Sequence, residues 1–301
     1  MKSVPVAATV ESAAGRARQR AGDFVALTKP RLNVLVVLTS AAGYYLGSSS
    51  VPDVAPMAEA VVGTALVAGG AAVLNQVFER DTDRLMRRTR MRPLPDGRVS
   101  PAEARWYGVL LSATGLLVLA AETNALATLL AFTTLVTYLL VYTPMKRRTP
   151  AATLVGAVPG ALPPLIGWTA SHGSISPGGA SLFAIVFLWQ IPHFMAIAWL
   201  YRDDYALADF PMLPVIEPNG RRTGRQAVAY AAALLLVSIT PTVAGVSRLG
   251  YLATALAGGA LLLWLSIAFA SARTDAAARR LFVGSIVYLP VLWAAMILDR
   301  P

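Results

Sequence analysis

The sequence has no cysteine and few charged residues. Without cysteine among its 301 residues, the chain cannot contain a disulfide scaffold, a thiolate metal site or a cysteine nucleophile. Charged residues make up 14% of the chain and apolar residues 56%, whereas soluble proteins carry about 25% charged residues. So few charged residues cannot cover the surface of a water-soluble protein. The net charge of +10 could suggest a nucleic-acid partner, but so apolar a chain argues against one. The composition indicates a polytopic membrane protein.

Apolar runs long enough to cross a bilayer recur along the chain. Because about 20 apolar residues span a bilayer as a helix, the runs predict an all-α protein with nine transmembrane helices. They cover Leu32–Ser49, Met57–Phe78, Trp106–Ala121, Ala125–Tyr142, Ala151–Ala170, Ala180–Leu200, Ala227–Val246, Leu249–Ser271 and Leu281–Leu298. Glu122, Thr123 and Asn124 separate the third run from the fourth. We interpret them as a tight turn, although the two runs can also be interpreted as one long segment.

The basic residues are distributed unevenly between the predicted loops. With a cytoplasmic N-terminus, 24 of the 26 Lys and Arg residues lie in the N-terminal arm or in the loops after spans two, four, six and eight. Only Arg248 and Arg300 lie on the far side. Since cytoplasmic loops carry the Lys/Arg excess, the N-terminus is predicted to be cytoplasmic and the C-terminus outside. Residues 1–24 are predicted to form a disordered basic arm, and residues 25–301 the transmembrane domain.

The choice of basic residue also indicates a location. Arg outnumbers Lys by 23 to 3 and Ala is abundant, which favours a GC-rich bacterial genome and hence the bacterial inner membrane. The first 22 residues weakly resemble a mitochondrial transit peptide. The mitochondrial inner membrane is therefore the less favoured alternative.

A polar stretch at the end of the second span contains the first candidate site. If the helix continues beyond the span, Asn75, Glu79 and Asp83 recur every four residues and line one face. An amide and two carboxylates at a membrane boundary offer hard oxygen ligands. Mg²⁺ is commonly held by one or two carboxylates together with substrate phosphates, so the stretch predicts a magnesium and phosphate site.

Arginines follow this stretch at the same spacing. Arg84, Arg88 and Arg92 are expected on a neighbouring stripe, where their planar guanidinium groups can bind phosphate oxygens. The alternative is a solvated helix end rich in salt bridges. That alternative is favoured for Asp81, Arg87, Arg90 and Arg98.

The sixth span also runs into carboxylates, Asp203 and Asp204. Two acidic clusters on separate helices can face each other across a pocket, bridge metal ions to a diphosphate and neutralise charge as it leaves. Lys146 and Arg147 lie between the clusters in the sequence and are candidate phosphate ligands. Basic residues after a span are also ordinary orientation signals, so both interpretations stay open.

Two further features lie inside predicted spans. His193, beside Pro192, is in the sixth span, and a histidine there usually marks a site, since imidazole can ligate iron. A hydrogen bond to a neighbouring helix is the alternative. In the fifth span, the Gly and Pro residues between Gly156 and Trp168 are expected to break the helix, which membranes tolerate where the backbone is buried or lines a cavity. We predict that this span forms a pocket wall.

Longer motifs carry a family resemblance. They are Asn75-xxx-Glu79-xxx-Asp83-xx-Met86-x-Arg88-Thr89, Arg92-Pro93-Leu94-Pro95, Tyr142-Thr143-xx-Lys146-Arg147-x-Thr149, Trp189-Gln190-Ile191-Pro192-His193-Phe194 and Tyr201-Arg202-Asp203-Asp204-Tyr205. Together they resemble the protoheme IX farnesyltransferases (heme O synthases), a branch of the membrane-embedded UbiA-type prenyltransferases. Matches within 27–31, 211–214 and 281–290 extend the resemblance over nearly all of the chain beyond the arm.

The resemblance implies nine helices around a central cavity, with Mg²⁺ and farnesyl diphosphate bound at the acidic clusters. It also implies transfer of the farnesyl group to the 2-vinyl group of heme B, with addition of water and release of diphosphate. The product would be heme O. The implied partners are heme B, farnesyl diphosphate and the lipid bilayer, with a downstream heme-modifying enzyme or a terminal oxidase as a further possibility.

The resemblance also implies residue roles. Asn75, Glu79, Asp83 and Asp204 would hold the metal and diphosphate, with Asp203 as a further catalytic residue. Arg84, Arg88, Arg92, Lys146 and Arg147 would bind the diphosphate, and His193 and Tyr201 would contact the heme. Related quinone prenyltransferases carry carboxylates at the positions of Tyr201 and Tyr205, and many have Asp at the position of Glu79. These differences favour the heme branch and leave the ligands of a second metal open.

Two alternative functions are also compatible with these residues. Another UbiA-type prenyltransferase, acting on a quinone or chlorophyll precursor, would share the acidic residues. A secondary transporter would also use intramembrane acids and broken helices, but transporters bind near the midplane, whereas these acids cluster at one interface.

Overall fold

The computed structural model describes residues 13–301, which form α-helices, one π-helical segment and no β-strand. In chain order the helices are α1 (Ala13–Leu27), α2 (Pro30–Gly47), α3 (Val54–Leu85), α4 (Pro101–Glu122), α5 (Ala125–Val136), α6 (Thr143–Met145), α7 (Ala152–His172), α8 (Pro177–Leu200), α9 (Arg202–Leu207), α10 (Leu213–Ile216), α11 (Arg221–Val237), α12 (Thr240–Val243), α13 (Leu249–Ala272) and α14 (Asp275–Leu298). The π-helical segment Thr137–Tyr142 joins α5 to α6.

Each of the nine predicted spans falls on a helix, and the third and fourth are separate. Helix α4 ends at Glu122, and the side chain of Asn124 begins α5 by accepting a hydrogen bond from the backbone N–H of Ala127 at 2.9 Å. The same side chain donates to the carbonyl oxygen of Thr169 in α7 at 2.7 Å. The predicted tight turn is therefore confirmed. Asn124 stabilises it by capping the start of α5 and by binding the backbone of α7.

Most of these helices are able to cross a membrane. In the described chain, seven helical stretches are long and apolar enough, and α1 with α2, bent by 51° between them, makes an eighth. Helix α7 falls outside this set because prolines and glycines dilute its apolar residues. Most of its side chains are buried against other helices, so few of them need to be compatible with lipid. The chain is an all-helical, multi-pass membrane protein.

Helix α7 corrects the expectation of a broken fifth span. It continues from Ala152 to His172 with Pro159, Pro163 and Pro164 inside it. Proline removes a backbone donor and commonly kinks a helix, but here the neighbouring helices hold the segment helical. That this span forms a pocket wall stays a prediction.

The backbones of α2 and α7 touch. A Cβ atom on Gly167 would lie 1.9 Å from the carbonyl oxygen of Ser40, and one on Gly43 would lie 2.0 Å from the carbonyl oxygen of Pro164. No side chain fits at either position, so glycine is required for this approach. Small residues allow close helix packing in membranes, where contact between helices replaces contact with lipid.

The N-terminal arm differs from its prediction. Residues 13–24 belong to helix α1 rather than to a disordered segment, and residues 1–12 of the predicted arm lie outside the described part. Helix α1 is tied to the rest of the chain by ion pairs from Arg20 to Glu103 and from Asp23 to Arg98. These pairs give the arm fixed partners, which a reading of its composition alone does not reveal.

The predicted loops on one side of the membrane also meet in the structure. Arg202, after span six, forms an ion pair with Asp275, after span eight, at 2.8 Å. The backbone N–H of Arg88, after span two, lies 3.4 Å from a carboxylate oxygen of Asp204, after span six. At the other end, Arg300 binds the carbonyl oxygen of Ser48, which follows the first span. These contacts bring together the loops after spans two, six and eight, and they place the C-terminal end beside the loop after span one, as the predicted topology requires.

Candidate active site

The polar end of helix α3 forms the centre of the candidate site. The helix continues to Leu85, so Asn75, Glu79 and Asp83 lie on one face, as the spacing predicts. These side chains are 2%, 6% and 1% exposed. Removing a carboxylate from water costs several kcal/mol unless it is paired, so the neighbours of these three residues determine what the site can do.

Glu79 is paired with Lys146. The ammonium group of Lys146 lies 3.0 and 3.1 Å from the two carboxylate oxygens of Glu79, and 4.8 Å from the ring centre of Phe210. Lys146 lies just beyond the fourth span. Burial by itself lowers the pKa of Lys146, but the Glu79 carboxylate outweighs burial and raises that pKa above its ordinary value. The lysine therefore remains a cation at the membrane boundary.

Asp83 is paired with Arg92, which folds back towards α3. A guanidinium nitrogen of Arg92 lies 2.7 Å from Asp83 Oδ2. The hydroxyl of Thr89 donates to the carbonyl oxygen of Asp83 at 2.8 Å and so satisfies one free carbonyl at the helix end. Asp83 Oδ1 is buried and has no hydrogen-bond partner in the described chain. This oxygen retains lone pairs for a ligand.

The arginines do not form the predicted helical stripe. Because α3 ends at Leu85, Arg88 and Arg92 belong to the following loop. Arg84 points elsewhere, since its Nε donates to the carbonyl oxygen of Pro95 at 3.1 Å and its guanidinium lies 4.0 Å from Asp81. The structure brings Arg92 into the site and uses Arg84 to hold the loop.

The two acidic segments meet through Arg88. Its guanidinium lies 5.2 Å from the ring centre of Tyr201 and 4.9 Å from that of Tyr205, and its backbone N–H faces Asp204. Met86 and Tyr205 share an apolar cluster beneath this contact. Asp204 is buried, whereas Asp203 is exposed. The structure therefore separates the two predicted aspartates, and Asp204 is the one that contacts the first acidic segment.

The sequence interpretation missed three residues around Asn75. Lys29 Nζ and the hydroxyl of Tyr138 each lie 3.4 Å from Asn75 Oδ1, and Asn75 Nδ2 donates to Thr143 Oγ1 at 3.0 Å. Lys29 has a left-handed backbone (φ 51°) between α1 and α2. Its position before a proline at a helix start is the signal that the sequence offers, whereas its charge alone marks it only as one of the basic residues on the cytoplasmic side.

Lys29 also contributes an incompletely compensated charge. It forms no ion pair with a described carboxylate, although it lies near the charges of Glu79 and Asp83 as well as those of Arg92 and Lys146. The remaining predicted site residues are less central. Arg147 is exposed, and Tyr201 is exposed beneath Arg88.

His193 lies in helix α8, away from these contacts. Its Nδ1 is 2.8 Å from the hydroxyl oxygen of Ser285 in α14, and the rings of Trp189 and Phe282 stack against it. The hydrogen bond to a neighbouring helix is thus present. A role in binding heme stays a prediction.

The oxygen atoms of the site fit a metal ion that takes some of its ligands from the protein and the others from water and substrate. Among residues 13–301, no three His, Cys, Asp or Glu side chains lie close enough to hold a metal ion. Asn75, Glu79 and Asp83 instead offer an amide and two carboxylates, with Asp83 Oδ1 unpartnered. Mg²⁺ commonly takes one or two carboxylates and completes its shell with water and phosphate oxygens, so these residues fit Mg²⁺ together with a phosphorylated substrate.

Two cavities lie elsewhere. One, of about 920 Å³, is lined by Trp168, His172 and Arg300 at the opposite end of the molecule. The other, of about 310 Å³, is an apolar space between α13 and α14. Neither is lined by the carboxylates of α3, so the candidate site is separate from both cavities.

The chain is similar to known proteins in sequence and in fold. A family profile described as "UbiA prenyltransferase family" matches residues 36–293. A curated protein from Solibacter usitatus (strain Ellin6076), named protoheme IX farnesyltransferase, is 43% identical over 288 residues, which cover 93% of this chain and 99% of that protein.

Two solved structures have the same arrangement of helices. One is reported for digeranylgeranylglyceryl phosphate synthase in membranes, with a TM-score of 0.79 and 16% identity over 93% of this chain and 98% of that one. The other is a UbiA homolog from Archaeoglobus fulgidus bound to GPP and Mg²⁺, with a TM-score of 0.63 and 16% identity over 91% of this chain and 99% of that one.

Proposed function

The chain belongs to the UbiA prenyltransferase family, and from this premise we propose that it is a heme O synthase. It transfers the farnesyl group of farnesyl diphosphate to the 2-vinyl group of heme B, water adds, and diphosphate is released. The name of the Solibacter relative supports both the farnesyl donor and the protoheme acceptor. The buried oxygen-donor face of α3, surrounded by cations, supports the same chemistry.

The observation that carries the proposal is the charge arrangement at the end of α3. Glu79 is paired with Lys146, and Asp83 is paired with Arg92. Two further cations belong to the same region, because Lys29 lies beside Asn75 and the backbone of Arg88 faces Asp204. The cations are thus in excess by one, as an anionic substrate requires. An Mg²⁺ ion held by Asn75, Glu79, Asp83 and Asp204 would supply further neutralisation of the diphosphate, as Mg²⁺ accompanies GPP in the Archaeoglobus fulgidus homolog.

The ion pairs of the site can be exchanged for contacts with the substrate and the metal. Lys146 and Arg92 hold Glu79 and Asp83 before substrate binds. When a diphosphate arrives, the same cations can turn to its oxygens, and the carboxylate oxygens become available to a metal. Arg88, Arg92 and Lys146 then stabilise the negative charge that develops as the allylic C–O bond breaks.

The remaining steps need protection from water more than an acid or base. The bonding electrons of the C–O bond leave with diphosphate, and the terminal carbon of the heme vinyl group forms the new bond to farnesyl C1. Water then adds to the inner vinyl carbon and loses a proton, which gives the hydroxyl group. The surrounding helices exclude water from the allylic cation before the carbon–carbon bond forms.

We also propose the bacterial inner membrane as the location, with the N-terminus and the acidic site on the cytoplasmic side. The distribution of 24 of 26 basic residues supports this orientation. A downstream heme-modifying enzyme or a terminal oxidase is the proposed recipient of the product.

The direct test uses purified protein with farnesyl diphosphate, heme B and MgCl₂, followed by liquid chromatography of the extracted hemes. We expect conversion of heme B to heme O, and loss of conversion when EDTA replaces MgCl₂. A parallel reaction offers a phenolic quinone precursor as acceptor. Prenylation of the phenol with no heme O would contradict the proposal in favour of another prenyltransferase of the same family.

Variants on α3 test the site itself. Glu79→Gln and Asp83→Asn should each reduce heme O formation by at least 100-fold because each removes a metal-binding charge. Asp81→Asn is the matched control on the same helix, since Asp81 is 89% exposed in its side chain and contacts only Arg84 among charged groups of the described chain. Wild-type activity in either site variant at normal protein levels would remove that residue from the metal site.

A further inference from the structure

His193 is enclosed on several sides. The ring of Trp189, in the same helix, stacks at 5.0 Å between centres with 20° between the planes. The ring of Phe282, in α14, stacks at 5.1 Å with 26° between the planes. The ring of Phe194 packs against the imidazole at 5.6 Å with 60° between the planes. One edge of the imidazole, through Nδ1, faces Ser285 Oγ at 2.8 Å.

The direction of that hydrogen bond follows from the second contact of Ser285. Its Oγ also lies 2.7 Å from the carbonyl oxygen of Phe282, one turn earlier in α14. A carbonyl oxygen can only accept, and a serine hydroxyl has a single hydrogen to donate. Since Ser285 donates to Phe282, its oxygen accepts from His193, and the proton of the neutral imidazole lies on Nδ1. The lone pair is then on Nε2.

Ser285 is itself held firmly. Its side chain is fully buried, and its backbone carbonyl accepts a hydrogen bond from Nε1 of Trp189 at 2.8 Å. Both the stacking partner of His193 and His193 itself are therefore bound to one residue of α14. This arrangement fixes the ring plane and the tautomer together.

We propose that Ser285 is a positioning residue that holds His193 with Nε2 free to bind the iron of the heme substrate. The inference rests on the proposed function, which makes heme B the acceptor. Histidines that bind metals nearly always donate their other ring N–H to a fixed acceptor, which sets tautomer and orientation. An iron–imidazole bond would fix the orientation of the porphyrin relative to His193, so Ser285 would help to determine which edge of the macrocycle meets the farnesyl group.

The test compares two porphyrins that differ only in the metal. Purified wild type, Ser285→Ala, Ser285→Thr and His193→Ala are titrated with iron(III) protoporphyrin IX and with metal-free protoporphyrin IX, followed by absorbance and by quenching of tryptophan fluorescence. For Ser285→Ala we expect at least tenfold weaker binding of the iron porphyrin, the scale observed when such partners are lost, and unchanged binding of the metal-free one. Ser285→Thr, which keeps the hydroxyl, should restore iron-porphyrin binding.

His193→Ala supplies the spectroscopic check. It should remove the preference for the iron porphyrin and shift the Soret band, and added imidazole should restore the band. The inference is overturned if Ser285→Ala binds the iron porphyrin like wild type, if it weakens both porphyrins equally, or if wild type shows no preference for iron. Heme O formation is assayed separately, so iron-dependent binding without heme O would overturn the proposed function and leave the role of Ser285 intact.

Discussion

At the scale of single residues, the contact between Lys146 and Glu79 affects both the stability of the fold and the activity of the site. Both side chains are largely buried, with the lysine 14% and the glutamate 7% exposed in their side chains. Breaking a buried pair by removing one partner leaves an uncompensated charge and costs about 3–5 kcal/mol. Removing both charges costs much less, because no charge remains to be solvated.

This asymmetry predicts a separation of folding from activity. Lys146→Met should lower the free energy of unfolding by about 3 kcal/mol, because the buried Glu79 loses the cation with which it is paired. The double variant Glu79→Gln/Lys146→Met should recover most of that stability and remain inactive. Thermal unfolding followed by size-exclusion chromatography, together with heme O assays, measures both effects. Equal destabilisation in the single and double variants would contradict the buried-pair interpretation.

Substitutions of Arg84 and Arg92 should have different effects on activity, although the sequence spacing predicts the same role for both residues. Arg92→Gln should reduce kcat/KM for farnesyl diphosphate by tenfold or more, since Arg92 pairs with Asp83 in the site. Arg84→Gln should change kcat/KM by less than threefold, since Arg84 binds the carbonyl of Pro95. Steady-state kinetics at saturating heme B distinguishes them. A larger loss of kcat/KM in Arg84→Gln than in Arg92→Gln would instead support the prediction that Arg84 binds the diphosphate.

Local spacing was sufficient to predict part of the site. The four-residue repeat of Asn75, Glu79 and Asp83 placed them on one face because α3 continues beyond the apolar span. The partners of these residues are not local: Lys146 lies 67 positions from Glu79. Pairing over such distances depends on how the helices pack, and no period in the sequence encodes it. Where α3 ends, at Leu85, the next residue, Met86, is buried in the cluster with Tyr205, another contact between residues distant in the sequence.

At the scale of elements, the segment before Lys146 shows what pattern alone does not reveal. The fourth span changes to π-helical geometry over Thr137–Tyr142, although its apolar run is continuous in the sequence. A π-helical turn shifts the following residues around the helix axis, and such turns are frequent at functional sites. Here the change accompanies the contact of Tyr138 with Asn75. Nothing in the composition of this span indicates it.

The approach of α2 to α7 yields a prediction for a helix pair. Gly167→Ala places a methyl group where the carbonyl oxygen of Ser40 lies, so the helices must separate, and overpacking of this kind costs about 3 kcal/mol. Gly22→Ala in α1 is the matched control, because nothing lies within 4 Å of its added methyl group and alanine favours a helix over glycine by up to about 1 kcal/mol. Detergent-stable yield and melting temperature measure the difference, and comparable yields for the two variants would argue against backbone contact.

At the scale of the whole molecule, the absence of cysteine makes the topology directly measurable. Val51, between α2 and α3, is 80% exposed, and Arg90, in the loop after α3, is also exposed. In spheroplasts, a membrane-impermeant maleimide should label Val51→Cys and not Arg90→Cys. Inverted membrane vesicles should give the reverse result. Labelling of Arg90→Cys in intact spheroplasts would reverse the proposed orientation.

The contact between α2 and α7 also sets an order of events during synthesis. About 120 residues separate Gly43 from Pro164, so a ribosome adding about 5–20 residues per second needs roughly 6–24 s between them. Throughout that interval the backbone surface of α2 around Ser40 faces lipid or the insertion machinery. Asp204 emerges later still, after about two-thirds of the chain. Glu79 is therefore synthesised well before Lys146, with which it is paired.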